Sequence, residues 1–142
     1  MAATPVNPAA AAPPNVALGE LVDGGLAPAI MAIVDRGVRR RPQLASGFEA
    51  EVELVMPGHP PVRISFGQPL VTVEDGASPG PDLRISGALP DLVALMVAPL
   101  VGGVPNPINR RGRAAIGMVA AGRIRVEGRL GLLRRFLELI SV

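Results

Sequence analysis

Hydrophobic positions change their period twice along this chain. Between Val16 and about Arg40 they recur at three and four, the helical spacing. A first short piece carries Leu18, Leu21 and Val22. After Gly24-Gly25 a second carries Ile30, Ile33, Val34 and Val38, with Pro28 suited to its first turn and Arg39–Arg41 beyond its end. Period two then takes over. Phe48, Ala50, Val52 and Leu54 alternate with Glu49, Glu51 and Glu53; VRISF, LVTVE and DLRIS follow, separated by PGHPP, GQP and DGASPGP. Four strands joined by short loops predict an antiparallel meander.

The helical period returns after Gly87. Residues 90–98 contain Leu92, Val93, Leu95, Met96 and Val97 and are apolar on nearly every side, so such a helix needs cover all round. After a loop, Asn106-Pro107 would start a helix reaching about Ala121, and RIRVE would form a fifth strand. The last element is the clearest. Leu130, Leu132, Leu133, Phe136, Leu137, Leu139 and Ile140 share half of a helix, opposite Arg134, Arg135 and Glu138. The pattern predicts an α+β fold with a single five-stranded, mainly antiparallel sheet covered by helices. Residues 16–142 form one domain, and the Ala/Pro-rich residues 1–15 read as a disordered tail.

Composition narrows the chemistry. The 142 residues include no Cys, one His, and three Phe without Tyr or Trp, so the core is aliphatic and thiolate chemistry is excluded. All 14 basic residues are Arg, yet the net charge is only +2, too little for a dedicated nucleic-acid binder. The prolines and the lack of an initial positive region argue against a secretory signal or a transmembrane span, and a soluble cytoplasmic protein is expected.

Gly112, Gly117 and Gly122 repeat the G-x-x-x-x-G frame of a phosphate loop. That loop needs Lys and then Ser or Thr after its second glycine, between a strand and a helix. Here Met118-Val119 and Arg123-Ile124 follow instead, and Gly122 closes a helix and opens a strand. His59 sits alone in a turn, and Ser46, Ser65, Ser78, Ser86 and Ser141 lack a nucleophile-elbow context. Glu49, Glu51 and Glu53 lie about 7 Å apart along one strand face, too far to converge on one ion, and read as a solvated face. Asp91 suits the start of its helix as a dipole partner. Arg110, Arg111 and Arg113 could meet an anionic head group or stand simply solvated. No catalytic residue, metal site or cofactor is expected.

Two segments carry a resemblance. DLRISGALPDLVALM (82–96) and AAIGMVAAGRIRVEGRLGLLRRFLELI (114–140) resemble the sterol carrier protein two (SCP-2) family of lipid-binding domains. Its late strand between two glycines corresponds here to Gly122-Arg123-Ile124-Arg125-Val126-Glu127-Gly128, and the element order matches over 48–141. The chain departs in a longer insert over 98–113, in lacking an acidic residue after Gly128, and in lacking strand aromatics. These departures bear on the ligand more than on the fold.

The resemblance implies an apolar cavity or tunnel between sheet and helices that takes acyl chains, acyl-CoA, phospholipid or sterol. Wall candidates are Leu92, Leu95, Met96, Ile116, Val119, Leu133 and Phe136, with Arg110, Arg111 or Arg113 at a head group. The expected function is non-catalytic binding or transfer of a hydrophobic ligand, with transient membrane or partner-enzyme contact through the C-terminal helix. The alternative is an interaction or accessory module of a biosynthetic pathway with the same fold and a filled core. An enzymatic role fits least well.

Overall fold

In the computed structural model, which describes residues 13–98, 100–101 and 104–141, alternating sequence becomes one mixed sheet. Strands β1 (Asn15–Leu18), β2 (Ala50–Val55), β3 (Val62–Phe66), β4 (Leu70–Asp75), β5 (Leu83–Gly87) and β8 (Ile124–Gly128) lie in the order β1-β4-β3-β2-β5-β8. The helices are α1 (Ala27–Arg40), α2 (Pro42–Ser46), α3 (Leu89–Val97), α4 (Arg110–Ala120) and α5 (Leu130–Ile140). A two-stranded hairpin, β6 (Leu100–Val101) and β7 (Val104–Pro105), lies in the insert between α3 and α4.

Three expectations are corrected. The sheet has six strands, not five, and is mixed: β2–β3, β3–β4 and β5–β8 are antiparallel, whereas β1–β4 and β2–β5 are parallel. The meander therefore stops at β4. The connection over 76–82 carries the chain back past two strands, so that β5 pairs with β2. The first piece predicted as helix is strand β1 followed by a loop. Leu18, Leu21 and Val22 are largely exposed there, and three apolar residues are too few to distinguish the periods. Two carboxylates on β4 fix this segment: Asp75 accepts from the amides of Val22 (3.0 Å) and Ala27 (3.1 Å), and Glu74 from that of Glu20 (3.2 Å). Finally, α4 starts at Arg110. Its cap is Asn109, whose side chain accepts from the amide of Arg111, while Asn106 closes a turn onto the amide of Ile108. The expected tail lies mostly outside the described residues.

Alternation sorts the sheet into two unlike faces. One carries Val52, Leu54, Val62, Ile64, Phe66, Val71, Val73, Leu83, Ile85 and Ile124, all buried under the helices. Phe66 makes edge contacts with Phe48 (4.7 Å between centroids) and Phe136 (6.0 Å). The other face is charged, and here the reading of the strand glutamates as simply solvated is corrected for Glu51 and Glu53, while Glu49 is exposed. Glu74, Arg63, Glu53, Arg84 and Glu127 stand opposite one another across five strands with alternating sign. Arg84 bonds Glu53 (2.6 Å) and Glu127 (3.0 Å); Arg63 bonds Glu51 (2.7 Å) and pairs with Glu74 (3.7 Å). Glu53 is only 3% exposed and also accepts from the Ser78 amide.

Helix α5 is seated by close backbone contact. A Cβ on Gly37 of α1 would lie 2.1 Å from the Leu139 carbonyl oxygen, and the Arg41 guanidinium donates to the Ser141 carbonyl. Glycine is thus required where α1 and α5 cross.

Candidate functional site

The end of the sheet at β5 and β8 is covered by α3, α4, α5 and the β6–β7 hairpin. Asp91, in the first turn of α3, forms a bidentate pair with Arg123 ahead of β8 (2.6 and 3.3 Å), so its role is an ion pair as well as a dipole partner. Gly122 (φ 76°) closes α4, and Gly128 (φ 130°) turns the chain into α5. A Cβ on Gly112 would meet the Asn106 carbonyl oxygen at 1.9 Å, so this glycine lets α4 pack against the turn that precedes it.

Among the described residues, two apolar spaces lie here. The first is a narrow gap, lined by Ile30 of α1, Leu54 and Met56 of and beside β2, Ile85 of β5, Leu92, Leu95 and Met96 of α3, and Phe136 and Leu137 of α5. Its volume of about 10 Å³ holds at most a single water, and its walls give such a water nothing to bond. This part of the core is filled.

The second space is an open cleft of about 290 Å³, just under the usual range for small-molecule sites. It is lined by Leu95, Pro105 of β7, Ile116, Val119 and Ala120 of α4, Val126 of β8, and Leu130, Leu133 and Leu137 of α5. Every lining residue is apolar. Ile116 is 41% exposed, Val119 43% and Leu130 66%, a concentration of exposed aliphatic surface that a packed interior would not leave. Leu95 and Leu137 line both spaces and form the partition between them.

The structure therefore divides the wall residues expected from sequence. Leu92, Met96 and Phe136 border the narrow gap, Ile116, Val119 and Leu133 the open cleft, and Leu95 both. Leu130 and Leu137 were legible on the apolar half of α5, and Val126 as an inward position of the alternating RIRVE strand; Pro105 was not, because nothing local says which elements close around it. Arg110, Arg111 and Arg113 are exposed in the first turns of α4, outside the lining. Arg113 lies one turn before Ile116, next to the cleft's edge. Among the described residues no group of three or more His, Cys, Asp or Glu is placed to hold a metal ion, and no helix is long and apolar enough to cross a membrane.

No protein-family model matches the sequence, and no curated protein matches it. The fold, however, is similar to solved structures. The UbiJ-SCP2 ubiquinone synthesis protein matches with a TM-score of 0.54 and 12% identity over 81% of this chain and 88% of that one. The sterol carrier protein domain 2 of Helicoverpa armigera matches with a TM-score of 0.55 and 16% identity over 80% and 84%. The sec-alkylsulfatase Pisa1 from Pseudomonas sp. matches with a TM-score of 0.50 and 13% identity over 70% of this chain, which corresponds to 14% of the sulfatase. The chain has an SCP-2-like α+β fold.

Proposed function

We propose that this protein binds a hydrophobic ligand non-catalytically, with an aliphatic chain lying in the cleft between α3, α4, β8 and α5. The ligand class is a fatty acyl chain, acyl-CoA, phospholipid or sterol-like molecule. The observation that carries this reading is the cleft itself: about 290 Å³, apolar on every side and open to solvent. Each methylene moved from water into it contributes about 0.8 kcal/mol, so a chain binds without polar anchors, and selectivity for chain chemistry is low. A polar head would remain outside, where Arg113 stands a turn from Ile116.

The packing of α5 bears on entry. Phe136, Leu137, Leu139 and Ile140 are buried, and releasing each costs about 1.5–3 kcal/mol. Entry through the open mouth beside Ile116 and Leu130 is therefore favoured over detachment of the whole helix. The filled gap supports a second reading, an accessory module whose cleft receives a partner protein, which is in keeping with the ubiquinone synthesis protein among the similar folds. Native mass spectrometry of the purified protein, followed by titration with a fluorescent fatty acid, decides between them. Saturable binding that Val119→Ser weakens is expected; no retained lipid together with no saturable binding would overturn the ligand reading.

A further inference from the structure

Charge is segregated along this chain. Residues 104–141 carry eight arginines against two glutamates, a net charge of +6, whereas the remainder carries six arginines against ten acids. On the acidic part the arginines are largely engaged, as in the Arg63 and Arg84 ladder. On the basic part Arg110, Arg111 and Arg113 make no side-chain hydrogen bond or ion pair among the described residues. They also crowd the N-terminal turns of α4, where no acidic residue offsets them and the helix dipole disfavours cations. Local stability does not account for that placement.

The same region presents exposed aliphatic side chains. Ile108, at the turn leading into α4, is 85% exposed, and Leu130 stands at the mouth of the cleft. We propose that this face, formed by the 106–113 segment and the cleft mouth, docks on an anionic phospholipid bilayer. Ile108 and Leu130 would enter the acyl boundary while Arg110, Arg111 and Arg113 meet lipid phosphates. Aliphatic residues flanked by cations suit such an interface. A bilayer is the better fit than a protein partner, because it takes scattered cations and a protruding aliphatic side chain without a shaped pocket, and the face offers arginines but no Tyr or Trp to fill one. Docking does not require the cleft to hold a ligand, so vesicle binding and fatty-acid titration fail independently.

The test is co-sedimentation of the full chain with phosphatidylcholine vesicles, with and without about 30% phosphatidylglycerol, at about 0.05 and 0.5 M salt. Binding is expected only to the anionic vesicles and only at low salt. R110E/R113E should weaken it at least about tenfold, and Ile108→Ser about tenfold. R36E/R40E, which removes the same charge from exposed positions on α1, should leave it nearly unchanged. Circular dichroism checks that each variant is folded. No binding, equal binding to neutral vesicles, or equal loss from both double variants would overturn the proposal. Absence of vesicle binding with Arg110/Arg113-dependent retention on immobilised polyaspartate would overturn it in favour of an acidic protein surface.

Discussion

The two ends of the sheet are built to opposite standards. At the β1–β4 end, α1 and α5 cross at backbone contact over Gly37, and the carboxylate of Asp75 is consumed by backbone amides. At the β8 end, α3, α4 and α5 fail to close, leaving a cleft of about 290 Å³ and exposed Ile116, Val119 and Leu130. Both ends use the same aliphatic vocabulary. Close packing stabilises the first, while the second leaves contact unmade, which is where binding is expected to add it.

That contrast predicts very different tolerance to mutation. Gly37→Val should have the largest effect, because its Cβ would lie 2.1 Å from the Leu139 carbonyl oxygen and cannot be relieved by a side-chain rotation. A loss of about 3 kcal/mol or more is expected, read as a lower midpoint in chemical denaturation. A midpoint within error of the parent protein would show that α5 is held elsewhere.

Glu53→Ala should come next. It leaves Arg84 with Glu127 alone and orphans the Ser78 amide. Breaking a fully buried pair costs about 3–5 kcal/mol, but Arg84 is partly solvated, so about 2 kcal/mol is expected. Denaturation at low and high salt measures it, and the loss should change little with salt if burial of Glu53 dominates.

Glu51 adds a pH signature on the same face. The Ser78 hydroxyl, and then the Arg63 guanidinium, hold its carboxyl below the usual glutamate range, while burial opposes them. A depressed folded-state pKa stabilises the fold above the ordinary value of about 4.3, and that stability is lost as pH falls through the folded value. Ser78→Ala removes the largest contribution. Its destabilisation should be full at pH about 6 and shrink towards pH about 3; a deficit independent of pH would assign it to loop packing instead.

The sequence revealed more of the packed end's elements than of its partners, and more of the cleft's residues than of its shape. The apolar half of α5 and the alternation of β2 to β5 are local, so periodicity finds them. The return of β5 to β2 and the addition of β1 are choices among edges of equal local pattern, and they emerge only with the tertiary fold. The same holds for the cleft. Ile116, Val119 and Leu133 were legible as apolar helix positions, but which apolar positions pack together, as Leu92, Met96 and Phe136 do, and which border a space that stays open and that Pro105 of the hairpin also lines, emerges only with the tertiary fold.

Ile116→Ser should have the smallest effect on stability and still discriminate most sharply. The side chain is 41% exposed and stands at the cleft rather than in the packed core. Removing its exposed methyl groups forfeits little that folding gained, so a change within about 0.5 kcal/mol is expected. A bound chain would instead lose several methylene-sized contacts, about tenfold in affinity for a fluorescent fatty acid. Met96, against the filled gap, should behave in the reverse way on replacement by Ala, with stability falling and affinity hardly moving. If Ile116→Ser and Met96→Ala shift stability and affinity in equal proportion, the cleft is merely a loose part of the core, and the division between the two ends does not separate folding from binding.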